Sequence, residues 1–485
     1  MSRSRLWTLA PTWAVLTALL GGCATNPVTH KSEISFVSPA QELEIGKQGY
    51  GPVIQEYGLY DDAALQAYVN TIGQKVAHVS HLPDLEWHFT IVDDAAVNAF
   101  AMPGGYIYIT RGLLVYLNSD AQLAGVLGHE IGHVTRRHTA SQMTQQQLYG
   151  AGFALGSILS PTFQRYSGAA QQAMSLLFLK FSRTDESQAD ELGVEYSTKA
   201  GYDSREIPAT FAMLKRIGDQ SGQRLPGFLE THPDPGDREK VTAELARQAV
   251  AGKGTLVINQ NVYIRRVDNV VFGQDPRQGY FVGDLYYHPV LRFQITFPPG
   301  WSHRDTRAAV AAGEPNQAAV VQLSTAAGAA DLAPEAFVAQ ILAKGSISGA
   351  HGARETIGGY SAWVGHLDVP AEGQSTSTTL DAAFIRKDAL LFQILGQSLK
   401  VGDVNEERIF STIRSFRSLS DAARINVIPD RVRVSNVDAT GTFDAVVKRL
   451  GALPADLETD AIMNNVQTAD RVTAGTLVKT VTRLH

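Results

Sequence analysis

The stretch VLGHEIGHVTRRH, residues 126–138, narrows what this chain can fold into more than any other. His129 and His133 are four apart, so on a helix their imidazoles sit one above the other and can aim two nitrogens at one point, with Glu130 beside them. Upstream, Ser119-Asp120-Ala121-Gln122 has the spacing of a capping box, and Leu123, Val126, Leu127, Ile131 and Val134 recur behind it at helical spacing. A second stripe, Ala121, Gly125, Gly128 and Gly132, is small. Each glycine costs about 1 kcal/mol relative to alanine inside a helix. The stripe therefore predicts close approach of another helix, or of backbone, to this face.

Two histidines on a helix need a third ligand before they make a metal site. Downstream, FSRTDESQADELG supplies Glu186 and Asp190, again four apart in a stretch of helical character. One carboxylate can reach a metal while the other accepts a hydrogen bond from a ligating imidazole; by itself the stretch reads as an exposed acidic helix face. Two neutral imidazoles and one carboxylate leave the fourth position of a zinc ion to water, the composition of a catalytic rather than a structural site.

The whole chain sets further bounds. Its 485 residues, 44% hydrophobic and 19% charged, are an ordinary globular composition, too long for one core. The net charge of −6 becomes −8 once residues 1–22, with Arg3 and Arg5 and no acid, are set aside, which argues against a nucleic-acid partner. That N-terminal stretch has two arginines and an apolar run too short to span a bilayer, the pattern of a secretory signal. Cys23, the single cysteine, follows Leu20-Gly21-Gly22 directly and resembles the lipobox of bacterial lipoproteins. This resemblance implies cleavage before Cys23, acylation there and membrane attachment by a lipid anchor. Ala24 in the next position resembles the outer-membrane sorting pattern of Gram-negative lipoproteins, which implies a periplasmic protein on the outer membrane. With its cysteine modified, the mature chain forms no disulfide.

Two more motifs accompany these. One is Asn98-Ala99-Phe100-Ala101-Met102-Pro103-Gly104-Gly105, followed by the alternating run Tyr106-Ile107-Tyr108-Ile109-Thr110; the other is Thr231-His232-Pro233 with Arg238. Together with His129-Glu130-x-x-His133 and Ser182-Arg183-x-x-Glu186-x-x-Ala189-Asp190, they resemble the HtpX-type and BepA-type zinc metallopeptidases, a group that includes the CAAX-prenyl endopeptidases. The resemblance implies an α+β, zincin-type metalloprotease domain with an active-site helix and an edge strand. It implies one zinc ion per chain on His129, His133 and Glu186, with Glu130 as general base. Asp190 and Arg238 would stand behind the ligands, Asp190 orienting one ligating histidine and Asp185 the other. The alternating strand entered through Gly105 and Tyr106, with Asn98 and Ala99 before it, is either an edge that holds extended peptide or a plain core hairpin. His232 either steadies the oxyanion, occupies the fourth zinc position and silences the site, or is a turn residue before proline. His138, beside Arg136 and Arg137, reads as a surface residue. Residues 148–159, LYGAGFALGSIL, are apolar but too short to span a membrane and read as a helix or flap beside the site.

The organisation expected is a signal peptide over 1–22, the metallopeptidase domain over 23–260, an α+β accessory module over 261–420 and a last unit over 425–485. In the third, Phe293 to Trp301 reads as a strand ending in a turn, residues 381–395 as a hairpin around Lys387-Asp388, and residues 336–342 and 406–413 as helices; the module resembles PsbP/Mog1-like domains. The last unit has a β-α-α-β order with an Asn-bearing second helix and resembles a LysM module, which implies peptidoglycan as a partner. Unfolded or misassembled envelope proteins are the substrates the family resemblance implies. The rival reading is an envelope assembly factor or peptidoglycan-binding scaffold whose metal site His232 keeps shut.

Overall fold

The computed structural model describes residues 23–149, 176, 179–221, 232, 237–326, 329, 331–370, 377–399 and 402–483. A short hairpin, β1 (Cys23–Thr25) and β2 (Ser32–Ile34), leads into helices α1 (Pro39–Tyr57) and α2 (Ala63–Ala77). Strands β3 (His88–Val92), β4 (Ala99–Met102) and β5 (Tyr106–Thr110) follow, then α3 (Arg111–Tyr116), α4 (Asp120–Thr135), α5 (His138–Tyr149), α6 (Arg183–Lys199), α7 (Ile207–Ser221), α8 (Arg238–Ala249) and α9 (Gln260–Arg266). The three strands lie in the order β3-β5-β4, with β3 parallel and β4 antiparallel to β5. Gly104 and Gly105, at φ +81° and +90°, turn β4 into β5, a conformation that side chains with a Cβ rarely adopt. The strand running from Tyr106 is therefore central rather than an edge. β3, built from the alternating Trp87, Phe89 and Ile91 region, takes the far side of β5, which leaves β4 at the border of the sheet.

Helix α4 carries the two histidines through the middle of this half. Ser119 caps it by accepting a hydrogen bond from the Gln122 backbone N–H, and Leu123, Leu127 and Ile131 are fully buried. The small stripe does what its composition predicts. A Cβ built on Gly128 would lie 3.1 Å from the Gly193 carbonyl oxygen, and one on Gly132 would lie 3.2 Å from the Ala189 backbone, both on α6. On Gly125 a Cβ would instead meet the Ile207 side chain at the start of α7. Backbone contact between α4 and α6 brings residues far apart in sequence to one point.

The second half starts with strands β6 (Tyr280–Val282), β7 (Leu285–His288), β8 (Phe293–Thr296), β9 (Ser302–Asp305), β10 (Ala309–Gly313) and β11 (Ala319–Thr325), then helix α10 (Pro334–Ala343). It continues with β12 (Gly349–Ile357), β13 (Tyr360–Pro370), β14 (Ser377–Lys387), β15 (Leu390–Ser398), α11 (Val404–Arg414) and β16 (Arg417–Ser418). The larger sheet runs β12-β13-β14-β15-β11-β10-β9, antiparallel throughout, and the smaller β16-β8-β7-β6. The hairpin at Lys387-Asp388 forms as expected, Asp388 taking φ 52° in the turn.

Helix α12 (Ala422–Ile425) precedes the last unit, which holds β17 (Arg431–Asn436), β18 (Gly441–Thr442), α13 (Phe443–Arg449), α14 (Leu457–Met463), β19 (Arg471–Val472) and β20 (Leu477–Thr482). Asn464, just past α14, donates to the carbonyls of Asp460 and Lys479 and accepts from the Lys479 N–H, tying helix to strand. This unit is no separate bead. Val432, Ile462, Met463 and Val481 belong to the same buried cluster as Leu123, Leu127 and Ile131 of α4, and so do Tyr263, Val267 and Val270 beyond residue 260. The first core thus crosses the boundary drawn at 260 and recruits the C-terminal unit. Of the apolar stretch 148–159, residues 150–159 lie outside the described residues. Among the described residues no helix is long and apolar enough to cross a membrane.

Candidate metal centre

Because α4 and α6 touch along glycines, the first turn of α6 lies over the middle of α4. His129 and His133 face each other with Nε2 atoms 3.1 Å apart, and the Glu186 carboxylate lies 3.6 Å from the first and 3.5 Å from the second. His232 closes the group, its Nδ1 2.8 Å from Glu186 Oε1. His129, His133, Glu186 and His232 each offer a ligand atom within 4.8 Å of the others, and all are buried. Four ligands about 2.0–2.1 Å from a shared tetrahedral ion stand about 3.3 Å apart, so the spacing and the donor chemistry fit zinc. Glu130 points into the same space. Both its carboxylate oxygens are buried and accept no hydrogen bond among the described residues.

The surroundings shift several of these groups in opposite directions. Burial pushes the Glu130 carboxyl above its ordinary range, more than His232 and His129 can offset. Burial, with the neighbouring histidines, pushes His133 well below the usual imidazole range, which keeps it neutral as a metal ligand must be. Burial alone would raise Glu186 and Asp190, but charge partners outweigh it. His232 and Arg238 hold Glu186 low, and Arg238 with His129 brings Asp190 to about 2. Asp190 pairs with His129 Nδ1 at 2.9 Å and takes a two-pronged contact from Arg238 at 2.7 and 2.8 Å. Arg238 also reaches Glu186 Oε2 at 2.7 Å, so one guanidinium braces both acids of α6.

His133 is braced differently from what the sequence suggests. Asp185 spends one oxygen on capping α6 through Ser182, and its other lies 3.7 Å from His138. The group against His133 is His138 itself, Nδ1 to Nδ1 at 2.9 Å, with its Nε2 3.1 Å from Gln188 Oε1. His138 is 3% exposed, so its reading as a surface residue is corrected. The helix breaks at Arg137, which takes φ 60°, and the new helix α5 starts by folding His138 back beneath the ligand.

Around the sheet, the expected residues separate. Gly105 and Tyr106 belong to the turn and the central strand, whereas Asn98 and Ala99 open the border strand β4. The Asn98 carbonyl accepts from the Thr110 N–H at 3.0 Å, and the Asn98 N–H donates to the Thr110 side-chain hydroxyl at 3.1 Å. In an antiparallel ladder such pairs alternate. Phe100 and Met102 thus face β5, opposite Tyr108 and Tyr106, and Ala99 and Ala101 turn their backbone groups away from it, Ala99 fully buried and Ala101 half-buried.

Residues 63–245 match the model of peptidase family M48, and they contain α4, α6, Glu130 and the four ligand positions. This domain belongs to peptidase family M48. This chain is 34% identical over 192 residues to the mitochondrial metalloendopeptidase OMA1 of Arabidopsis thaliana, covering 39% of this chain and 38% of that one. It is also 32% identical over 235 residues to the beta-barrel assembly-enhancing protease of Escherichia coli (strain K12), covering 46% of this chain and 47% of that one. The chain thus spans less than half the length of these two curated relatives. The solution structure of cyanobacterial PsbP from Synechocystis aligns over 28% of this chain and 94% of its own at 13% identity, with a TM-score of 0.22, too low to assign a fold.

Proposed function

We propose that this chain is a zinc-dependent endopeptidase of the bacterial cell envelope, lipid-anchored at Cys23, that cuts unfolded or stalled envelope proteins. The observation that carries it is Glu130, a buried carboxylate that accepts no hydrogen bond among the described residues and faces a donor set of three imidazoles and a carboxylate. His129, His133 and Glu186 would hold the ion. When bound, zinc makes a water molecule acidic enough to lose a proton near neutral pH and polarises the scissile carbonyl.

The protein's own groups do the rest. Glu130, its carboxyl raised by burial, is a strong enough base to take the proton of the attacking water and then to return it to the leaving amine. Asp190 fixes the Nδ1 of His129 and Arg238 fixes Asp190, so the ring presents Nε2 to the ion in one orientation. The backbone groups that half-buried Ala101 turns away from β5 suit an extended substrate that pairs as an extra strand, which selects for unfolded chain rather than for particular side chains. His232 serves as the resting fourth ligand and must leave for substrate to enter.

The test is zinc content together with casein cleavage for the chain lacking residues 1–23. One zinc per chain with cleavage supports the reading. Bound zinc without cleavage, both in the native sequence and after His232→Ala, supports the scaffold instead.

A further inference from the structure

The extended run at residues 34–37 is inside out for a protein in water. Ile34 is 67% exposed and Phe36 44%, whereas Ser35 and Val37 between and after them are buried. The alternation is fixed rather than loose. The Phe36 N–H donates to Thr144 on α5 at 3.0 Å, the Ser35 hydroxyl donates to the Val37 carbonyl at 2.8 Å, and Arg137 donates to that carbonyl at 2.7 Å. Val37 packs with Ala140 and Met143 of α5.

Cys23 stands directly opposite Ile34 in the β1–β2 hairpin, one strand spacing of about 4.8 Å away. Asn26, 2% exposed, donates to the carbonyl of Arg136, the C-cap of α4, at 3.1 Å. Three residues extend at most about 11 Å. An acylated Cys23 would thus have no free tether, and its lipid would enter the membrane within that reach of a residue fixed to the end of the metal helix.

We propose that Ile34 and Phe36 lie against the bilayer and seat the M48 domain flat on the membrane surface, so that the site works on chain segments at that surface. The proposal rests on the lipid-anchor reading of Cys23. It explains why the apolar pair, and not Ser35, faces outward beside the anchor.

Acylation consumes the sole native cysteine, so a second one can be labelled uniquely. Full-length Ile34→Cys, Phe36→Cys and, far from the hairpin, Val290→Cys are labelled with an environment-sensitive fluorophore and reconstituted in phosphatidylethanolamine–phosphatidylglycerol vesicles containing brominated acyl chains. Val290 is 60% exposed and serves as the solvent reference. The expected result is at least a two-fold drop in fluorescence at positions 34 and 36 and none at 290. Equal fluorescence at all three positions, with Cys23 shown acylated by mass, overturns the proposal and leaves a protein partner as what covers the pair. A mass showing Cys23 unacylated sinks the anchor reading, and the proposal with it.

Discussion

Glu130 and Glu186 are carboxylates in one buried space, yet their surroundings drive them apart, one raised and one lowered. The raised carboxyl suits a base and the lowered one a ligand. Glu130→Gln is expected to keep the ion and the fold and to lose peptide cleavage, checked by metal analysis beside a casein assay; residual cleavage near the native rate would put the base elsewhere. His232→Ala is expected to raise basal cleavage of an unfolded substrate with zinc retained, because it clears the fourth position. A loss of about 10²-fold or more would mark it as an oxyanion donor instead. His138→Ala removes the brace on His133 along with the contact to Gln188, and support of this kind is worth about 10- to 100-fold in metal affinity. Competition with a zinc chelator is expected to show a loss of that size, and an unchanged affinity would make His138 a packing residue. The ligands were legible because spacing of four puts two side chains on one helix face. His138, five past His133, was not, since only the left-handed turn at Arg137 brings it back beneath the ring.

At the scale of elements, the glycine stripe was the most informative signal, for it announced a backbone contact before the partner was known. The partner, Gly193, is equally confined; a Cβ there would lie 3.1 Å from the His129 backbone nitrogen and 3.3 Å from the Gly125 oxygen. Neither can yield as a flexible side-chain tip would. Gly193→Val is therefore expected to push α6 from α4, destabilising the fold by about 1–3 kcal/mol and lowering zinc occupancy, read by denaturant unfolding and metal content. Normal occupancy would mean the helices part without moving Glu186. The sheet was less legible. Alternation marks β3 and β5 as strands, but nothing local says that β3 pairs with β5 across the intervening chain, and that long-range pairing is what moves the border to β4.

Across the whole molecule, the C-terminal unit is bound to the M48 domain by more than a linker. Lys479, fully buried, donates to the carbonyls of Val115 and Leu117 where α3 ends, and Arg216 of α7 reaches the Val466 carbonyl and Glu458. Sequence patterns gave the elements of this unit but not the seam, because a buried lysine looks like any surface lysine until the second surface is known. Asp460 lies in the same seam. One of its oxygens accepts from the Val481 N–H, the other has no hydrogen-bond partner among the described residues, and burial pushes its carboxyl up to about 7. The sign follows from linkage. The folded state holds this proton up to about pH 7, while the unfolded carboxyl, with an ordinary value of 3.8, releases it near pH 4. The native chain therefore loses stability as pH rises through that window, and the loss is complete above it. Asp460→Asn cannot ionise and keeps an oxygen for Val481. It is expected to melt a few degrees higher than the native chain at pH 8, with the gap closing as pH falls toward 4. An equal gap at both ends would show that the substitution acts through packing, and a lower melting temperature at pH 8 would show that the charged carboxylate has a cation partner in the seam.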